Sequence, residues 1–147
     1  MLFRSRLRNE PALAVKAFAD ARALRPKDIV TLVHLGEMQL ASGETDAAER
    51  TLGEALALDA GSARTLGALG RAALSRNDYA TAISRLEQAL ALAPQASALR
   101  YPLSLAYRGA GDATRSAAEL AQRGTVDAPL SDPLMERASA QIGRAHV

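Results

Sequence analysis

The chain has 147 residues, 48% of them hydrophobic and 3% aromatic, a formal net charge of +2 and no cysteine. This length suits one continuous core rather than several, and the lack of thiols excludes disulfides, thiolate metal sites, covalent haem attachment and cysteine nucleophiles. Weak basicity and few aromatics argue against a nucleic-acid surface, and the apolar runs are interrupted within a helix turn or two, too soon to span a membrane.

Taken in chain order, residues 9–28 read as the second helix of a partial unit, with Pro11 at a first helical turn and Ala14, Phe18 and Ala21 following at helical spacing. Residues 29–62 form a full unit. Leu32, Val33, Leu35 and Leu40 mark a first helix, Ala41-Ser42-Gly43-Glu44 breaks it, and Ala47 to Leu58 make a second. The next unit, 63–96, repeats the order with Leu66, Leu69 and Gly70, a break at Asn77-Asp78-Tyr79, then Ala82, Leu86, Ala89 and Pro94. Asp78 and Asp112 stand just before second helices and are expected to cap them.

Residues 97–130 form a divergent unit. Arg100 stands where a large apolar residue is expected, Pro102 falls within the first helix, and Arg123 replaces a small packing residue. Looser packing is therefore expected, with Pro102 either opening its helix late or kinking it. Arg123-Gly124 reads as a helix end, with Gly124 outside the packed region. Ser131-Asp132-Pro133 looks like a cap and first-turn proline opening a further unit at 131–141.

The units share one register. Phe18, Leu52, Leu86 and Leu120 stand 34 apart, as do Leu35, Leu69 and Leu103, and Ala14, Ala48 and Ala82. A period of this length is the mark of a solenoid of stacked helix pairs. Gly36, Gly70 and Ser104 on first helices, with Ala48, Ala82 and Ser116 on second helices, would let paired helices approach closely.

Leu32, Leu35, Gly36, Gly43, Ala48, Leu52 and Ala55, followed by Leu66, Leu69, Gly70, Tyr79, Ala82, Leu86, Ala89 and Pro94, resemble the tetratricopeptide repeat, over nearly everything from Asn9 to about Gly124. The resemblance implies an all-α, right-handed solenoid of antiparallel helix pairs. It further implies a non-catalytic scaffold that binds a peptide or protein partner in a concave groove. An alternative is an accessory module of a multidomain enzyme or cytochrome-type redox protein whose catalytic part lies elsewhere.

Motifs for chemistry are missing from the sequence: it holds no HExxH, GxSxG, Walker-type or EF-hand pattern, and His34 is the one histidine outside the C-terminal tail. Gly109-Ala110-Gly111 sits at an inter-helix turn whose glycine the repeat itself requires. No catalytic, cofactor or metal residue is therefore expected, and neither a nucleic-acid nor a membrane partner.

Groove positions of the resembled family, carried onto this chain, fall on Val33, His34, Glu37, Leu40, Arg64, Arg71, Leu74, Tyr101, Leu105 and Arg108, with Val30, Gly67, Ala68, Ala98 and Pro102 beside them. Val33 and Glu37 stand where chaperone-binding members carry the Lys and Asn of a carboxylate clamp, so that specificity is not expected. Arg64, Arg71 and Arg108 could instead hold an extended peptide carrying a carboxylate, or form a solvated face.

Both ends stand apart from the repeat. Met1-Leu2-Phe3-Arg4-Ser5 and Ile142-Gly143-Arg144-Ala145-His146-Val147 resemble a short-read sequencing adapter translated in opposite orientations. Residues 1–8 are accordingly read as tail plus the remnant of a first helix, and 142–147 as tail. Arginine-rich, alanine-rich composition fits a GC-rich bacterial genome, so the expectation is an interior piece of a larger bacterial protein.

Overall fold

The computed structural model describes residues 2–130 together with Gln141 and Arg144, so the expectations placed on the rest of 131–147 lie outside the described residues. The described chain is all-α: α1 (Leu2–Leu24), α2 (Ile29–Ala41), α3 (Thr45–Leu58), α4 (Ala63–Ser75), α5 (Tyr79–Leu92), a 3-10 turn (Ser97–Leu99), α6 (Arg100–Gly109) and α7 (Ala113–Ala121). Helices pair as α2/α3, α4/α5 and α6/α7; units join through α3/α4 and α5/α6, and the first helices also meet through α2/α4 and α4/α6. Among the described residues the helix contacts run from each unit to the next, which makes this a solenoid. Because successive first helices touch one another, they form its inner side.

Each unit turns at a residue in the left-handed region: Gly43 (φ 81°), Asn77 (φ 59°) and Gly111 (φ 85°). Asparagine is among the few side chains that tolerate this backbone. The next amide then closes the helix, with Glu44 N–H donating to Gln39 C=O at 2.8 Å, Asp78 to Ala73 at 3.0 Å and Asp112 to Tyr107 at 2.9 Å. These are Schellman closures, which satisfy orphan carbonyls at the helix end. The Asp78 and Asp112 carboxylates accept from the Thr81 and Arg115 amides at 3.2 and 3.0 Å, capping the second helices as their positions require. Glu44, one methylene longer, makes no such bond.

Packing within a unit depends on a glycine under a leucine. A Cβ built on Gly36 would lie 2.5 Å from Leu52 Cγ, and one on Gly70 would lie 2.6 Å from Leu86 Cγ and 3.4 Å from the Ala82 carbonyl oxygen. Leu52, Leu86, Ala48 and Ala82 are completely buried. Between units, Tyr107 of α6 is buried and its hydroxyl donates to the Glu87 carboxylate of α5. Burial, and secondarily Glu87, push the Tyr107 phenol up to about 12.

The third unit departs from the pattern as its sequence suggests, with specific compensations. Pro102 opens the first helix late: Ser97–Leu99 is a 3-10 turn and the α-helix starts at Arg100, which places Pro102 in the first turn. Arg100 replaces the buried Leu32 and Leu66 and meets Glu119 of α7 at 2.8 Å. No residue of α7 is buried. It ends at Ala121, whereas α3 and α5 run on to Leu58 and Leu92. Arg123, just past that end, stands in register with Ala55 and Ala89, which are both completely buried, and its guanidinium donates back to the Leu120 carbonyl at 2.8 Å.

Two expectations are corrected. Gly124 is not outside the packed region: its amide donates to the Ser97 carbonyl at 3.1 Å, and a Cβ there would fall 2.8 Å from Ser97 Cβ. Pro11 does not open a helix, because α1 is continuous from Leu2 and contains it. An interior proline removes only its own amide bond and crowds the carbonyl four residues back. The flanking leucines, arginines and alanines are good helix formers that sustain the helix across it.

Gly70→Ala should destabilise the fold by about 1–3 kcal/mol through overpacking. Gly53, mid-helix in α3 with open space around it, should instead gain about 0.5–1 kcal/mol on change to Ala. Urea midpoints of the two variants moving in the same direction would refute the glycine-under-leucine contact. The Tyr107 phenol is raised, so its contribution to stability is complete below its ordinary value of 10.0 and is lost as pH climbs toward about 12. In Tyr107→Phe, the decline of the urea midpoint over that window should be shallower than in the unmodified chain.

Candidate functional site

The inner surface opens into a cleft of about 470 Å³ between α2, α4 and the Ser97–Leu99 turn, with Asp127 and Ala128 closing one side. Its floor is apolar, from Met38, Leu40, Ala41 and Leu99, and its charged wall comes from Glu37, Arg64 and Arg71. Helical spacing explains the grouping: Glu37 and Leu40 lie three apart on α2, and Arg64, Arg71 and Ser75 recur at two-turn and one-turn spacing on α4.

Glu37 is the hub. Its side chain is only 12% exposed and accepts a two-pronged bond from Arg64, with Nε to Oε1 at 2.8 Å and Nη2 to Oε2 at 3.1 Å. Arg71 Nη2 and His34 Nδ1 each stand 3.6 Å away. The Glu37 hydrogen bond holds the Arg64 guanidinium above its ordinary value, burial opposes this, and the charge of Asp127 adds to it. Arg64 is thus already paired within the chain. Arg71, with 44% of its side chain exposed, is the cation presented to the cleft.

The remaining groove positions have other surroundings. Val33 is completely buried and packs with Ile29, Leu32 and Ala55, so it cannot touch a ligand. His34 stacks on Phe18 of α1, ring centroids 5.4 Å apart and planes at 20°. Leu74 packs against Ala73, Ala82 and Ala106. Tyr101 and Arg108 are exposed on α6 and Leu105 is half-buried, and none of these three lines the cleft. Of the neighbouring positions, Ala98 lines it, whereas Gly67 lies under Leu99, whose Cδ2 would be 2.6 Å from an added Cβ. Pro102 and Ala68 are buried and Val30 half-buried.

The cleft therefore brings together Glu37, Leu40, Arg64 and Arg71 and adds residues that the repeat pattern does not single out. Met38, Ala41 and Ser75 adjoin groove positions on the same helices, so a wider window around each would have included them. Asp127 and Ala128 carry no signal in the register, because corresponding residues of earlier units belong to inter-unit loops. Among the described residues there is no group of three His, Asp or Glu side chains placed to hold a metal ion, and no helix long and apolar enough to cross a membrane.

A family model for the tetratricopeptide repeat matches residues 31–64 and 65–98, which are therefore two adjacent repeats of that family. Among solved structures, the chain is similar to a crystal structure of MamA, at 24% identity and a TM-score of 0.68, over 81% of this chain and 70% of that one. A second MamA crystal structure is 22% identical over 76% of this chain and 61% of that one, TM-score 0.67. An RS-1 MamA double mutant is 22% identical over 81% and 67%, TM-score 0.68. At these identities the likeness speaks to fold: the same helical solenoid. No curated protein matches the chain significantly.

A double-mutant cycle on Glu37 and Arg64 should return a coupling of about 1 kcal/mol, because the pair is largely shielded and bidentate. The equally short but exposed Arg22–Glu54 pair should return less than about 0.5 kcal/mol. Equal couplings would show that shielding adds nothing at Glu37.

Proposed function

We propose that this tetratricopeptide-repeat solenoid is a non-catalytic protein-binding module, an interior part of a larger bacterial protein, and that its inner cleft takes an extended peptide segment of a partner. The observation that carries the reading is the cleft itself: an apolar floor beside Arg71, a cation only loosely held by Glu37 and open to solvent. That combination suits a peptide with apolar side chains and one carboxylate, the charged group fixing register and the apolar contacts supplying most of the affinity. A binding role rather than a catalytic one is supported by the engagement of the polar groups. Glu37, Arg64 and His34 face one another, and Ser75, the one hydroxyl lining the cleft among the described residues, donates to the Ala72 carbonyl at 2.7 Å rather than to a base.

Selection of random dodecapeptides displayed on phage against the immobilised chain should enrich sequences with an acidic residue beside apolar ones. Arg71→Ala should weaken a selected peptide by about five- to tenfold at low salt and by less at high salt, since attraction by an exposed charge is screened. Arg85→Ala on α5, outside the cleft, should leave affinity unchanged. A loss from Arg85→Ala equal to that from Arg71→Ala, or failure to select any peptide, would overturn the groove assignment.

A further inference from the structure

Beyond α7 the chain turns back across the inner side of its own solenoid. Gly124 N–H donates to the Ser97 carbonyl at 3.1 Å, Val126 N–H to Ser97 Oγ at 3.2 Å, and Ala98 N–H to the Val126 carbonyl at 2.9 Å. The last of these serves one of the amides that a helix start leaves without an intrahelical partner. Further along, Ala128 is 5% exposed in a cluster with Ala63, Leu66 and Leu99. Pro129 shares the lining of a small cavity with Asp59, Ser62 and Ala63, and Leu130 packs against Ile29, Leu32, Val33 and Ala55. The segment thus visits the third unit, then the second, then the first, always near the N-terminal ends of the inner helices.

Side-chain requirements along this path are specific. Asp127 lines the cleft with Arg64 and adds its negative charge to the field there. At 128 a small side chain is buried in the cluster, at 129 proline favours the extended backbone, and at 130 the surface beneath is apolar. The hydrogen bonds at 124 and 126 use backbone atoms and so read conformation rather than sequence.

We propose that the inner rim formed by the N-terminal ends of α2 and α4 and by the Ser97–Leu99 turn is a peptide-binding surface for an extended acidic–small–proline–apolar sequence. Asp127-Ala128-Pro129-Leu130 is its resident occupant, and a partner of like sequence displaces it. This rests on reading the inner face as a peptide site and names the ligand class. Because the occupant is tethered, it competes at an effective concentration in the millimolar range, so a partner must outbind it or wait for it to open.

A fluorescent peptide copying residues 124–131, with a copy carrying Lys in place of Asp as control, tests this by anisotropy against the full chain and two undocked variants. Ala128→Glu forces a carboxylate into a shielded site, and Gly124→Val drives a side chain into Ser97 without touching the apolar cluster. Both variants should bind the peptide at least about tenfold more tightly than the unmodified chain, and the Lys-bearing copy should lose most of that affinity. In the unmodified chain, saturating peptide should move the Ala128 methyl resonance to its free-chain position, a readout that holds even if a variant fails to fold. Equal affinity for all forms, or a docked Ala128 signal at saturation, would overturn the proposal. So would absence of peptide binding to a helical variant. If displayed peptides bind the cleft while Ala128 stays docked, only the present inference fails; if none bind, the broader groove reading fails with it.

Discussion

The close crossing of first and second helices within the units of Gly36 and Gly70 is the constraint on which the rest of the architecture depends. With only hydrogen at Gly36 and Gly70, the leucine opposite can lie directly against backbone, and the helices come near enough for the alanines beside them to be fully buried. A side chain one carbon larger would push the pair apart and move every later unit, because each rests only on its neighbours. Short, closed turns make the same demand on the backbone. One left-handed residue and one six-to-one hydrogen bond reverse the chain with no room for a longer loop, so the register of the second helix against the first is fixed at both ends of the crossing.

Where that discipline lapses, the chain does something else with its backbone. With Arg123 in the register of the buried Ala55 and Ala89, α7 stops early, at Ala121. The released residues still carry amides, carbonyls and apolar side chains that must find partners. The inner rim supplies them: the Ala98 amide at a helix start, an apolar seam between first helices, and the Arg64 guanidinium near Asp127. Where the earlier units continue as helix to Leu58 and Leu92, this one continues as an extended strap.

Helix pairing was legible from the sequence because it depends on residues recurring at a fixed interval, and Leu52 with Leu86, or Gly36 with Gly70, declare themselves by repetition. The same logic located the turns and the Asp78 and Asp112 caps. Lateral pairings were not legible. Glu37 and Arg64 meet across two helices, and nothing in a linear pattern tells whether a groove cation faces solvent or a neighbouring carboxylate. Val33 shows the related difficulty that a position on the inner helix can still point beneath the surface. The course of Gly124 to Leu130 was hidden for a different reason: it arises from a break in the repeat, and an exception has no period. Similarly, the proline in α1 reads as a helix start by local rules, whereas the neighbouring residues have enough helical preference to run through it.

The strap also has a mechanical side. A row of helix pairs joined only to their neighbours is a compliant spring, whose bend is the sum of small rotations at each junction. By touching the first, second and third units on the inner side, the strap spans the arc as a chord spans a bow. While it is in place, those junctions cannot rotate independently, and the curvature of the row is tied to the length of one short stretch of backbone. Release of that chord would leave the junctions between those three units free to rotate separately.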